Sequence, residues 1–224
     1  MIVLRLFIQT VLWLAVMALV LFLAAGNPAW PAAWAFLVEM GVLGGTVGLW
    51  LAWRDPALLA ERLRWRNQGD QKDWDRRFMI GVGVGFLAWL ALMGLDVERW
   101  RLSLVPTPLQ GVGFLAIGFS VWLSWRVFMV NSFAAPTVKM QPGQSVAVTG
   151  PYEVVRHPLY AAAIAYFIGT PLMLGSWLGL AAAPFLIGAM AARALGEERM
   201  LRAELPGYDD YAAKVRYRFV PRLW

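Results

Sequence analysis

Six apolar stretches dominate the chain, and each is long enough, or nearly long enough, to cross a bilayer as a helix. A span needs roughly 20 apolar residues. Val3 to Ala25 meets that length, broken only by Arg5 and Gln9 near its start. Its apolar run is too long for a typical signal region, and no convincing small-residue cleavage site follows it. Trp34 to Trp53, Phe78 to Leu95 and Leu109 to Val130 read as three further spans. Leu159 to Leu174 and Trp177 to Ala192 are shorter, and Gly175-Ser176 divides them, so they read as a helical hairpin. The expectation is an all-α polytopic transmembrane bundle of about six spans. Cytosolic loops and a C-terminal amphipathic helical segment complete it.

Composition supports this and narrows the chemistry. Hydrophobic residues make up 60% and charged residues 15%, against about half and a quarter in soluble domains. There is no cysteine and one histidine. That excludes a disulfide framework, a thiolate nucleophile and a Cys- or multi-His metal site. The formal net charge is +6, but the arginines flank membrane segments and form no nucleic-acid platform. No nucleic-acid partner and no metal are therefore expected; the partners are membrane lipids.

Sidedness follows from Lys and Arg alone. With six spans, both termini, the 54–77 loop and the 131–158 loop share one side. Eighteen of the 20 basic residues lie there, and only Arg99 and Arg101 lie on the other. Both termini are expected in the cytoplasm, with the chain in the inner or plasma membrane of a prokaryote. The opposite face offers only short links at 26–31, 96–108 and 175–176.

Several features have plain structural readings. Trp30, Trp34, Trp50, Trp53, Trp89, Trp100 and Trp177 fall near span ends, where an aromatic belt sits. The glycines of spans three and four are read as packing positions. Gly81-Val82-Gly83-Val84-Gly85 lacks a preceding strand and has the wrong spacing for a dinucleotide loop. Glu39 is an intramembrane carboxylate, a functional candidate by default, or one that reaches the interface. Arg126 is placed to snorkel.

Polar information concentrates in the last hundred residues. Pro158 suits the first position of a helix, which puts His157 at the N-cap of span five. Val146 to Val148 reads as a short extended piece. Arg193 and Glu197 are four apart and share a helix face. Pro206-Gly207 ends that helix, and Tyr208 and Tyr211 begin an amphipathic segment, where belt positions are their plain reading. Lys214, Arg216, Arg218 and Arg222, interleaved with Tyr217, Phe219 and Trp224, form a basic-aromatic stripe suited to an anionic membrane surface.

These residues also carry a resemblance. The ordered set runs Asn131-Ser132-Phe133, Gly150-Pro151-Tyr152, Arg156-His157-Pro158-x-Tyr160, then a hydrophobic hairpin. It continues with Arg193-x-x-x-Glu197-Glu198, Gly207-Tyr208-x-x-Tyr211-x-x-x-Val215 and Val220-Pro221. It resembles the isoprenylcysteine carboxyl methyltransferase family, its prokaryotic relatives and, more loosely, phospholipid N-methyltransferases. The resemblance covers residues 128–222. Residues 1–127 resemble no family. Ala161 and Ala162 follow Tyr160 where members often have a glycine two residues on, and Pro206-Gly207 shortens the segment before Tyr208.

The resemblance implies an integral-membrane methyltransferase that uses S-adenosylmethionine and takes a lipophilic substrate sideways from the bilayer. The acceptor is a prenylcysteine-type carboxylate or a lipid headgroup. Tyr152, His157, Pro158, Tyr160, Glu197 and Glu198 are implied at the cofactor. Arg193, Arg156 and Asn131 are implied as the catalytic set, with the arginines holding the acceptor's negative charge. It also implies a division into spans 1–127 on the substrate side and a cofactor-binding region at 128–224. Methyl transfer from a sulfonium demands alignment and exclusion of water, and needs no metal or thiol. A carboxylate acceptor needs no base. An amine acceptor needs one, for which His157 or Glu198 is the candidate. Two other readings remain. Membrane sterol reductases have a similar tail and use a nicotinamide cofactor, whose phosphate Arg193, Arg199 and Arg202 would hold. A transporter or scaffold would carry more polar residues than Gln9, Glu39, Thr46, Ser120 and Ser124 within its spans.

Overall fold

The computed structural model describes residues 1–64 and 71–224, and Arg66, counted above among the loop cations, lies outside them. The described residues contain helices and no strand. In chain order the helices are α1 (Ile2–Ala25), α2 (Pro31–Arg54), α3 (Pro56–Arg62), α4 (Asp73–Gly94), α5 (Thr107–Phe128), α6 (Pro158–Leu174), α7 (Trp177–Glu204) and α8 (Tyr208–Lys214). α1, α2, α4 with its continuation to Arg99, α5 and α7 are long and apolar enough to cross a membrane. α6 is a shorter apolar helix of 17 residues. The polytopic helical bundle expected from the sequence is therefore present.

Local signals set the helix ends. Gly26 closes α1 in the left-handed region, at φ 66°, where a Cβ would be strained. Pro31, Pro56 and Pro158 occupy first-turn positions whose N–H groups have no helical partner in any case. The Asp55 side chain caps α3 by accepting from the Leu58 N–H at 2.9 Å. At Gly175, φ 92°, the chain leaves α6, and the amides of Gly175 and Ser176 both bond the Pro171 carbonyl. The Ser176 hydroxyl then caps α7 through the Gly179 N–H at 2.8 Å. Asp96, fully buried, accepts from Ser103 Oγ at 2.6 Å and Ser176 Oγ at 2.5 Å and ties this hairpin to the end of α4.

The principal core draws on both halves of the chain. Met17, Phe36, Leu90, Ile117, Phe167 and Leu174 are among its buried side chains. On the outside, Phe7, Leu12, Leu19, Leu23, Phe114 and Leu115 are exposed. A water-facing helix would pair such residues with a polar stripe, whereas a lipid-facing surface leaves them in hydrocarbon. A second kind of core, around Val138, Leu201, Leu205, Tyr208 and Tyr211, joins the tail to the end of α7.

Helices α5 and α6 touch through glycine. A Cβ built on Gly113 would lie 2.3 Å from the Met173 amide nitrogen, and one on Gly169 would lie 2.8 Å from the Gly113 carbonyl oxygen. Neither backbone can move away alone. Gly113→Ala is therefore expected to separate the pair and destabilise the fold by about 1–3 kcal/mol. Gly111→Ala, on the same helix but facing open space, is the control. Thermal melts of the two variants in detergent check the difference.

Two local expectations change in three dimensions. Trp30 and Trp89 are buried, and the Trp89 indole donates to the Gly179 carbonyl at 2.7 Å, so both are packing residues and not belt residues. α7 continues as helix past the apolar run to Glu204 and stops just before Pro206-Gly207, as expected. Its polar last turns are held by packing against the tail. Tyr208 and Tyr211 are buried, which removes them from the membrane belt.

Contacts gather the predicted cytoplasmic segments at one end of the bundle. Arg5 donates to the Leu63 carbonyl. Lys139 pairs with Glu61 at 2.5 Å and Lys72 with Glu204 at 2.8 Å. The N-terminus, α3, the 131–158 loop and the tail thus share a face, opposite the Asp96 cluster.

Candidate active site

A cavity of about 810 Å³ opens at that end. Its apolar arm runs between the helices past Leu6, Trp13, Met40, Gly48, Val82 and Phe86. Its polar arm reaches Asn131, Tyr152, His157, Tyr160, Arg193, Glu197, Tyr208 and Tyr211. Pro158 and Arg156 line it as well. Glu198 does not, although it touches residues that do.

The polar arm rests on two buried charge clusters. In the first, Asp75 at the start of α4 is fully buried. It accepts from Arg193 Nε at 2.7 Å and Nη2 at 3.3 Å, and from the Val138 amide at 2.9 Å. Arg193 Nη2 also bonds the Pro136 carbonyl at 2.8 Å, and Nη1 donates to the Tyr160 hydroxyl at 3.0 Å. Four of the five guanidinium donors are thereby used. The Tyr160 hydroxyl in turn donates to Glu197 Oε2 at 2.9 Å. A relay from Asp75 through Arg193 and Tyr160 fixes the Glu197 carboxylate at the cavity wall. The shared face of Arg193 and Glu197 is thus realised, with one tyrosine hydroxyl between them.

In the second cluster, Glu198 takes three partners: Arg156 Nε at 2.7 Å, His157 Nε2 at 3.1 Å and Arg218 Nε at 3.1 Å. A carboxylate only accepts, so His157 Nε2 carries a hydrogen here. Although His157 holds the N-cap position of α6, its side chain makes no capping bond. Arg156 continues to the Val215 and Arg216 carbonyls at 2.9 and 3.0 Å. Backbone bonds from the Arg156 and His157 amides to the Tyr217 and Arg218 carbonyls draw the tail beneath the site. Phe219 is buried there, its ring 5.4 Å from that of Tyr160. Arg218 and Phe219, assigned above to a surface stripe, therefore face inward, because Glu198 and the aromatic cluster offer them partners.

The tyrosines finish the wall. Asn131 Nδ2 donates to the Tyr152 hydroxyl at 2.7 Å, and the Tyr211 hydroxyl donates to the Tyr152 carbonyl at 2.8 Å. Burial pushes the phenols of Tyr152, Tyr208 and Tyr211 upward, so all three stay protonated donors. The Tyr208 hydroxyl is buried and has no partner among the described residues. An unmade hydrogen bond of this kind is costly unless a ligand supplies it. Asp75 belongs to no motif, and the quoted motifs assign no role to Tyr208, Tyr211 or Arg218. The signal for Asp75 was weak: one acid among the polar residues that precede an apolar helix.

The three arginines required for a nicotinamide phosphate do not converge. Arg193 is held by Asp75. Arg199 Nε bonds its own helix at Leu195, and Arg202 pairs with Asp209.

The geometry now meets the comparison with known proteins. Residues 109–205 match the phospholipid methyltransferase family. This bears out the resemblance to the integral-membrane methyltransferase superfamily. The phospholipid methyltransferase match spans α5 to the end of α7 and contains Asn131, Tyr152, Arg156, His157, Tyr160, Arg193, Glu197 and Glu198. Asp75, Tyr208 and Arg218 lie outside it. The chain is also similar to the nickel-cobalt-cadmium resistance protein NccN of Alcaligenes xylosoxydans xylosoxydans, at 36% identity over 129 residues. That alignment covers 56% of each protein, so the chain spans about half the length of the relative it matches.

Proposed function

We propose that the protein transfers a methyl group from S-adenosylmethionine to a lipophilic acceptor at the cytosolic end of the bundle. One observation carries the reading beyond the family: a single cavity joins a polar, tyrosine-lined arm to an apolar arm between membrane helices. A water-soluble donor and a hydrocarbon-bearing acceptor would meet in such a space.

The residues present fit the donor. Its sulfonium is a cation, and the fixed Glu197 carboxylate and the tyrosine faces favour a cation. The unpartnered Tyr208 hydroxyl offers a hydrogen bond to a polar group placed in the same arm. Once bound, S-adenosylmethionine supplies an electrophilic methyl group. The chain's own tasks are orientation and exclusion of water. Asp75, Arg193 and Tyr160 hold Glu197 still. Glu198 holds Arg156, His157 and the tail as the floor. Asn131 sets the angle of the Tyr152 ring. An amine acceptor must also lose a proton; Glu198 is already engaged by three donors, which leaves His157 to receive it.

The purified protein in lipid nanodiscs, given methyl-labelled S-adenosylmethionine, is expected to label a lipid-extractable product. The acceptors offered are total membrane lipid and a prenylcysteine carboxylate mimic. Label recovered in neither would overturn the reading.

A further inference from the structure

We infer that Arg62, on α3, is the residue that recognises an anionic group on the lipophilic acceptor. The inference rests on the functional reading above and deepens it.

Arg156 and Arg193 are committed to Glu198 and Asp75. Arg62 differs. It lines the cavity, and its Nη1 donates to the Ala134 carbonyl at 2.8 Å. Its guanidinium lies 4.4 Å from the centre of the Phe128 ring. Among the described residues it has no carboxylate partner, since the neighbouring Glu61 pairs with Lys139 and Arg64. Burial lowers its pKa from the ordinary value to about 10, which still leaves it a cation at neutral pH. A half-buried cation without a counter-ion among the described residues is costly, and an anion arriving through the cavity relieves that cost.

Position supports the assignment. Leu59 and Leu63, on either side of Arg62 in sequence, line the cavity together with Leu6 and Leu51. Apolar surface for a hydrocarbon chain is therefore contiguous with the guanidinium. On the other side, the segment from Asn131 to Pro136 runs from Tyr152 to Arg193, and Ala134 lies within it. A molecule with an anion a few bonds from a hydrocarbon chain satisfies both neighbours. A planar guanidinium suits a carboxylate or a phosphate monoester through paired hydrogen bonds.

The test is equilibrium binding to the full chain in nanodiscs, without methyl donor, using tritiated S-farnesylcysteine, its methyl ester and dodecyl phosphate. Wild-type protein is expected to bind the free acid and the alkyl phosphate at least about tenfold more tightly than the ester, the yield of one or two charge-assisted bonds. Inorganic phosphate is expected not to compete, because it lacks the chain. Arg62→Gln should erase the preference and Arg62→Lys should keep part of it. Helical content and S-adenosylmethionine binding should stay as in wild type, which excludes misfolding. A wild-type protein with no preference, or an R62Q variant that keeps it, would overturn the assignment. The methyl-transfer assay fails separately, since it needs the methyl donor, which the acceptor-binding measurements leave out.

Discussion

Asp75→Asn is expected to unfold a large fraction of the protein at temperatures the wild type tolerates. The carboxylate is fully buried and meets Arg193 with both oxygens. Removing its charge leaves a guanidinium, itself 9% exposed, without compensation. Breaking a buried pair on one side costs about 3–5 kcal/mol. Removing both charges is a different experiment. The double variant Asp75→Leu with Arg193→Met should recover most of the stability, because well-packed apolar groups of similar volume often replace a buried pair without loss. Methyl transfer should not recover, since the Tyr160 hydroxyl and Glu197 lose their anchor. Thermal melts and the labelled-methyl assay on the single and double variants check both statements. Stability and activity returning together would show the pair to be structural only.

Glu198→Gln should leave the bundle folded and disable the site. Arg156, His157 and Arg218 converge on this carboxylate within 2.7–3.1 Å. The neutral amide removes the charge that holds two arginines, and its NH₂ group faces donors. The tail carrying Arg218 and Phe219 then loses one of its tethers, and two arginines are freed beside the arm proposed to hold the cationic donor. S-adenosylmethionine affinity is expected to fall about a hundredfold, the loss of roughly two charge-assisted hydrogen bonds. Calorimetry of donor binding measures this, and circular dichroism shows whether helix content is kept. Limited proteolysis after Lys214 and Arg216 should speed up in the variant. Unchanged donor affinity would remove Glu198 from the site's support.

What the sequence displayed and what it hid divide along a physical line. Features set by neighbours a few residues away were readable. Pro158 places His157 at a helix start, a four-residue spacing puts Arg193 and Glu197 on one face, and about 20 apolar residues make a span. The lysine and arginine pattern gathered the segments that the fold brings to one end. Pairings across helices left no such trace. Asp75 and Arg193 are 118 positions apart, and nothing in the string near either one names the other. Arg62 looked like one more loop cation until Phe128 and Ala134 came into contact with it. Trp89 near a span end reads as a belt residue, and only the Gly179 carbonyl shows that it is packed inward. Tyr208 and Arg218 were misread for the same reason: amphipathic composition does not tell which partner an aromatic or a cation will find.

The polar arm of the cavity is the proposed seat of the methyl donor. Ultraviolet cross-linking of methyl-labelled S-adenosylmethionine to the full chain in nanodiscs, followed by peptide mapping, tests it most directly. Label is expected on the segments bearing Tyr152, Tyr160 and Tyr208, reduced by excess S-adenosylhomocysteine and lost in Glu198→Gln. Label confined to the Asp96 end of the bundle, or label that excess S-adenosylhomocysteine does not reduce, would contradict it.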